Sequence, residues 1–402
     1  MEARSPTSLS PALLSTLAAT SALSAANLYY AQPLLADIGR AFNVSVQEVG
    51  FIPMLTQAGY ALGILLVVPL GDVTERRRLI VWMCGLTALA LVGTALAPTL
   101  AALAVASFFV GAATIVPQLV LPLAAHLAHP SERGRIVGLV MGGLLVGILA
   151  ARTVSGLVGD WLGWRTMYWF AAAIMIGLMF SLWRVLPESR PHATMSYGAL
   201  LRSIGGLIRE QPILREASLL GGLTFGTFSA FWSTLVFRLE TPPLHYGSKV
   251  AGLYGLLGIS GALVAPFTGR FADRRGPRFT ILLALGTALA SWVVFALGGH
   301  TLIGLALGVL LIDVGAQANH ISNQARIYAL NPESRSRLNT VYMVSYFIGG
   351  ALGTFVGTTA WSHFGWFGVC AVGVALVMLA LIVFATGRRS EKARTSAGAQ
   401  SQ

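Results

Sequence analysis

Four residues spaced 4, 3 and 4 apart, Asp313, Gln317, His320 and Gln324, place a carboxylate, two amides and an imidazole on one face of a helix. Such a row can hold a polar molecule, line water or relay a proton. A histidine alone would fit a protein core equally well. Asn319 and Asn323 stand beside the row, and the flanking sequence is so apolar that this face must meet water or protein rather than lipid. The second chemical group is Arg152, the one basic residue deep inside an apolar run. A guanidinium near the middle of a bilayer costs ~2.5–3.5 kcal/mol unless it is paired or hydrated. Asp313 is the intramembrane carboxylate best placed to answer it. With a rise of about 1.5 Å per residue, Arg152 lies ~25 Å along its helix from Arg135, and Asp313 ~20 Å from Arg326. The two are expected to face a central cavity and to be coupled, directly or through water or substrate. Protonation of Asp313 is the simplest coupling event, and a purely structural ion pair is the competing reading.

Enzymatic signatures are missing. No Gly-x4-Gly-Lys-Ser/Thr cradle for phosphates, no His-Glu-x-x-His and no elbow serine occurs. Cys84 and Cys370 sit in separate apolar runs without metal-ligand spacing, so the expectation is no metal, no cofactor and no disulfide. An ion gradient, rather than ATP, is then the expected source of power.

The elements that hold these residues follow from the distribution of charge. The chain has 402 residues, 55% hydrophobic and 10% charged, too few charges to cover a soluble surface of this length. No Asp, Glu, Lys or Arg occurs between Leu79 and Ser131 or between Leu338 and Gly387. Each gap is broken near its middle by a turn signal, Pro98-Thr99 and His363-Phe364-Gly365, and reads as a helical hairpin. Single spans fit at 10–34, 47–71, 135–159, 165–185, 213–237, 249–271, 278–298 and 301–327, which with the hairpins makes twelve. The expected organisation is a six-helix half over 1–186, a linker over 187–212, a second half over 213–387 and a disordered tail over 388–402. Within the linker, Tyr197 to Arg209 has the pattern of an amphipathic helix. Arg4 followed by an apolar run and Ala25-Ala26 resembles a secretory signal, but its removal would leave one half a helix short.

The net charge of +12 is a topology signal rather than a nucleic-acid surface, because the basic residues are scattered over many loops. Only Arg40, Arg165, Arg238 and Lys249 fall on the side opposite the rest, which places both chain ends in the cytoplasm.

A repeat joins the two halves. Pro69-Leu70-Gly71-Asp72, running into Arg76-Arg77-Arg78, returns as Gly269-Arg270-Phe271-Ala272-Asp273-Arg274-Arg275-Gly276-Pro277-Arg278, with the two aspartates 201 residues apart. Twelve spans in two halves, and the Gly-x-x-x-Asp-Arg-x-Gly-x-Arg turn after spans 2 and 8, resemble the major facilitator superfamily. The second copy matches at every defining position, whereas Val68, Val73 and Glu75 depart from the pattern in the first. The segment Asn27-x-Tyr29-Tyr30-x-Gln32-Pro33-Leu34-Leu35 is similar to a YNFM-like bacterial branch assigned to efflux. The implied fold is all-α, with two pseudo-symmetric six-helix bundles in a bacterial inner membrane, expected to function as a monomer. The gating motif comprises Asp72, Arg76, Arg77, Gly269, Asp273, Arg274, Gly276 and Arg278, and in similar transporters its aspartate faces a helix N-terminus of the other half and latches the inner gate. Asp72 would then face Ser336 to Asn339, and Asp273 would face Ser131 to Arg135. Balancing nearby arginines is the alternative role for both.

Span 5 keeps Gly138, Gly147 and Gly156, small residues that permit close helix approach and match those of exporters in the family, but Ala151-Arg152 replaces the exporters' Gly-Pro. Asn27, Tyr30 and Gln32 are candidate outer-cavity contacts. Phe225, Phe228 and Trp232 share a face that fits either core packing or substrate contact. Together these features imply a secondary transporter, with proton-driven efflux of small amphipathic compounds or metabolites as the first expectation. Proton symport of an anionic metabolite held by Arg152 is the alternative within transport. A non-transporting membrane receptor or scaffold is the alternative of another class.

Overall fold

The computed structural model describes residues 10–129, 131–189, 195–331 and 334–399. Apolar runs bounded by good caps form the helices. Ser10 caps α1 (Pro11–Ala26), which is followed by α2 (Ala31–Phe42). A reciprocal Ser45–Glu48 capping box starts α3 (Val46–Val49), which leads into α4 (Phe51–Val67). Glu75 caps α5 (Arg76–Leu96) and Thr99 caps α6 (Leu100–Ala113), so the first hairpin turns where Pro98-Thr99 predicts. Next come α7 (Val116–Leu127), α8 (Arg133–Leu162), α9 (Trp164–Val185), α10 (Tyr197–Glu210) and α11 (Pro212–Glu240). The chain continues with α12 (Ser248–Tyr254), α13 (Ile259–Arg275), α14 (Pro277–Gly298), α15 (Leu302–Tyr328) and α16 (Arg335–Ala399). Gly163, Gly276 and Gly365 have φ values of 84°, 86° and 58°, a left-handed turn that glycine adopts without steric cost. Gly365 divides α16 into the two arms of the second hairpin.

Among the described residues these helices group into twelve spans, four of them built from two pieces. Span 1 departs from the single rod expected over 10–34: α1 ends at Ala26, residues 27–30 form a turn, and α2 continues to Phe42. Pro33, third in α2, has no N–H to give the carbonyl four residues back, which loosens the turn before it. Span 8 likewise breaks at a 3-10 turn, Gly255–Gly258, between α12 and α13. The expected disordered tail is instead continued as helix to Ala399, where Glu391, Lys392, Ala393 and Arg394 are good helix formers added to an existing end.

The chain divides into two compact units, one running to Leu201 and including Tyr246–Leu256, the other comprising Arg202–His245 and everything from Leu257 on. Glycines set the packing inside each. In the first unit, a Cβ on Gly143 or Gly147 of α8 would strike Ala18 or Ala22 of α1, and one on Gly59 or Gly63 of α4 would strike Phe108 or Ala112 of α6. In the second unit, Gly222 and Gly226 of α11 lie against Gly349 and Gly353 of α16. Backbones this close gain dispersion and exclude lipid. Outward faces are apolar: Trp82, Leu297 and Ile303 are exposed by 70%, 73% and 74%, as suits a lipid-facing surface. Of the three predicted close-approach glycines, Gly147 and Gly156 are packed, whereas Gly138 is exposed with open space where a Cβ would stand.

Gly349→Ala is therefore expected to cost about 1–3 kcal/mol by overpacking, while Gly138→Ala is expected to be neutral or stabilising by up to about 1 kcal/mol. Thermal unfolding of the two purified variants checks this; equal tolerance would refute the packing assignment.

Candidate functional site

In the first unit the break in span 1 presents its side chains to α8. Arg152 is 2% exposed; its Nε donates to Gln32 Oε1 at 2.7 Å, and its guanidinium carbon stands 4.7 Å from the Tyr29 ring centroid. A charged donor on an amide oxygen, together with a cation over a π face, lowers the cost of burial. On the other side, α12 lies directly on the Arg152 backbone: Thr153 Oγ1 donates to Gly252 O at 3.0 Å, and a Cβ on Gly255 would stand 2.7 Å from Arg152 Cβ. The predicted contacts Asn27, Tyr30 and Gln32 thus take different roles. Asn27 Nδ2 donates to Leu23 O and Ser24 O and finishes α1, Tyr30 is buried, and Gln32 holds the arginine. Sequence reasoning quoted Tyr29 without choosing it, and it missed the hydrogen bond of 3.2 Å from Gln118 to Tyr60 and the buried Gln57. Their signal was an amide or phenol inside a charge-poor span.

In the second unit the row on α15 has two sides. Asp313 is 8% exposed, and Gln317, His320 and Gln324 are half-buried. His320 Nδ1 lies 3.1 Å from Tyr342 Oη, and its ring lies 4.8 Å from that of Tyr346. Tyr346 stacks on Phe225 at 4.0 Å, and Phe225 stacks in turn on Phe228 at 5.6 Å. Imidazole, phenol and phenyl groups therefore form one stacked cluster, with Phe225 buried and Tyr346 and Phe228 half-buried. Trp232, 2% exposed beside Phe231, belongs to the core instead. Asn319 and Asn323 are fully buried ties: Asn319 donates to Leu220 O and Thr224 Oγ1 of α11, and Asn323 donates to Asn319. Gln324 donates to Asn339 Oδ1 at 3.3 Å, fastening α15 to the start of α16. Gly261 of α13 lies against the Asp313 backbone, where a Cβ would stand 3.2 Å from Asp313 O. Among the described residues no group of three His, Cys, Asp or Glu could hold a metal ion.

Comparison with known proteins places this arrangement. The sequence model of the Major Facilitator Superfamily matches residues 17–328. The chain belongs to the major facilitator superfamily. It is 43% identical over 385 residues to the transporter YgaY of Escherichia coli (strain K12), covering 96% of this chain and 98% of that one. It is 25% identical over 379 residues to the inner membrane transport protein YnfM of the same strain, covering 92% and 88%. The crystal structure of a mutant of the nucleoside transporter NupG shares the fold at a TM-score of 0.77 and 15% identity, over 93% of this chain and 99% of that one. The protein is a multi-pass membrane transporter with the major facilitator fold, not an enzyme.

The superfamily's turn motif is anchored differently in the two copies. Asp72 pairs with Arg76 at 3.7 Å, and Arg76 Nε donates to Gly71 O. Glu75, standing where the family has glycine, accepts the N–H groups of Arg77, Arg78 and Ser189. Partial burial works to raise its carboxyl, but those three donors and the nearby Arg78 charge outweigh it and hold the group below the usual carboxylate range. In the second copy the side chain of Asp273 lies outside the described residues, Arg274 is exposed and Gly269 has open space around it. Arg278 is half-buried and pairs with Glu216 of α11 at 3.2 Å. The other Glu216 oxygen accepts from Arg326 at 2.9 Å, so a single carboxylate joins α11, α14 and α15. Sequence reading missed Glu216 because a carboxylate near a span end looks like a loop charge.

Glu216→Gln should destabilise the protein by about 3 kcal/mol, since the largely buried Arg326 and half-buried Arg278 guanidinium groups lose their counter-charge; Glu216→Gln with Arg278→Gln should cost less than the sum. A thermal-melt double-mutant cycle giving plain additivity would remove the assignment. For Glu75, with its folded pKa depressed, the stabilisation holds above the unfolded value and is lost as pH falls through the folded one. Wild type should therefore lose more stability on acidification than Glu75→Gln, read as melting temperature against pH.

Proposed function

We propose that the protein exports small amphipathic compounds or metabolites in exchange for protons by alternating access, with Asp313 as the proton-carrying group and Arg152 as the buried cation of the same cycle. The observation that carries the reading is the α15 face: a nearly buried carboxylate at Asp313, followed along the helix by half-buried Gln317 and His320, with half-buried Tyr346 beside His320 and half-buried Phe228 backed by the buried Phe225 ring. Aromatic rings favour the apolar part of a ligand, while the amide and imidazole answer its polar part. A buried acid changes charge at a cost that depends on access to water, which is what coupling to a proton gradient needs. YnfM is named an inner membrane transport protein, and we assign this chain the same location with both ends cytoplasmic, as the distribution of Lys and Arg favours. Asp72 and Asp273 act in this reading as gate latches.

Symport of an anionic metabolite is the second reading, and the buried Arg152 guanidinium favours it. Proteoliposomes containing a pH-sensitive dye separate the two. Export by exchange predicts that substrate added on one side drives protons to that same side, and symport predicts that it drives them away. In either case Asp313→Asn is expected to abolish proton movement while substrate binding persists, and Arg152→Ala to lower transport at least tenfold. Full proton-coupled transport by Asp313→Asn would dismiss this role for the carboxylate. Asp72→Asn with unchanged transport would dismiss the latch.

A further inference from the structure

Two grooves of similar size open at the hairpin ends of the two units, and their charge differs. The first, about 610 Å³, is lined by Arg77 and Arg78 but also by Glu75 and Glu188, beside the exposed rings of Trp82 and Trp183. Its formal charge is balanced. The second, about 560 Å³, lies between α13, α14 and α15, and Arg270 and Arg274 are its charged lining; among the described residues no carboxylate lines it.

Arg270 and Arg274 are four apart on α13 and therefore share a face, and both are exposed. The helix ends at Arg275, so Arg270 lies about 8 Å from that end. The headgroup layer occupies roughly the outer 5–7 Å on each side of a bilayer. At this depth a guanidinium reaches lipid phosphates rather than bulk water. The remaining wall is apolar: Phe267 is 67% exposed, Leu283 47% and Phe271 37%. Three threonines also line the groove, but Thr268, Thr280 and Thr287 each donate their hydroxyl to a carbonyl of their own helix, at Val264, Gly276 and Leu283. The two guanidinium groups are thus the side-chain donors left for a ligand.

We propose that this groove is a binding site for one anionic glycerophospholipid, with the phosphate on Arg270 and Arg274 and an acyl chain along Phe267, Phe271 and Leu283. Two guanidinium groups, with no carboxylate among the described lining residues, attract a net-negative headgroup more strongly than a zwitterionic one, whose own cation they repel. The first groove, with its carboxylates, serves as the internal comparison. The assignment is independent of how transport is coupled.

The test uses the full-length protein in nanodiscs of phosphatidylcholine containing a minor fraction of phosphatidylglycerol, with retained lipid read by native mass spectrometry after detergent release. Wild type is expected to keep one phosphatidylglycerol in preference to phosphatidylcholine. Arg270→Gln should weaken retention about fivefold, from the roughly 1 kcal/mol contributed by each basic residue near a lipid phosphate. Arg270→Lys should largely preserve it. Arg202→Gln, an equal charge loss on α10, should leave it unchanged, and soluble glycerol phosphate should not compete, because it lacks the chain. Equal retention of the two lipids by the wild type overturns the proposal without any variant needing to fold. Equal retention of phosphatidylglycerol by folded Arg270→Gln, or an equal loss in Arg202→Gln, overturns it as well.

Discussion

Burying one guanidinium in a bundle surrounded by lipid constrains much of the first unit. Arg152 is held by an amide oxygen and a π face, Gln32 and Tyr29, which stabilise the ion while leaving its charge intact. Both residues come from the part of span 1 where α1 gives way to α2. Asn27 closes α1, Pro33 lacks the donor that would continue the ladder, and Tyr29 and Gln32, on either side of the start of α2, both meet Arg152 of α8. The opposite side of the same residue is covered by backbone, which is why Gly252 and Gly255 stand there: a side chain at either would collide with Arg152. An apparent defect in a transmembrane helix and a pair of glycines in a distant one therefore serve a single ion.

The two units share a scaffold without sharing chemistry. Arg77 donates to Trp183 O, and 201 residues on in both partners Arg278 donates to Phe384 O, so each hairpin arginine ties to the end of the sixth helix of its own bundle. The second unit adds Glu216 and Arg326 to this tie, whereas Ser15 and Ala125 stand 201 residues earlier. The same displacement carries Arg152 to Gly353, which packs on Gly226, and Asp313 back to Ala112, which packs on Gly63. At these positions one copy of the repeat spends the residue on close helix contact and the other on a buried charge. Charge on one side and packing on the other is how a duplicated bundle acquires a chemically asymmetric interior.

Much of this is legible in the amino-acid sequence. Charge-free lengths locate the spans, and Pro98-Thr99 and Gly365 mark both hairpin turns because proline and left-handed glycine interrupt helices for steric reasons independent of context. The internal breaks at 27–30, at Thr114–Ile115 and at Gly255–Gly258 were not legible, since hydropathy runs through them unaltered. The α15 row was found by periodicity, but its division was not. Asn319 and Asn323 differ from Gln317 and His320 only in which helix they meet, and the Leu220 carbonyl and Thr224 hydroxyl that claim Asn319 lie about a hundred residues away. Trp232 fails as a surface residue for the same reason, because Phe231 and the surrounding core are invisible to a single helix wheel.

Span 8 brings these observations together. Its first piece, α12, belongs to the first unit and lies on the Arg152 backbone; its second piece, α13, belongs to the second unit and places Gly261 on the Asp313 backbone. Between them stand the four residues Gly255–Gly258 in 3-10 geometry. A 3-10 turn has poorer hydrogen-bond geometry than the α-helix and tolerates a change of direction, and glycine at both ends removes the Cβ atoms that would resist one.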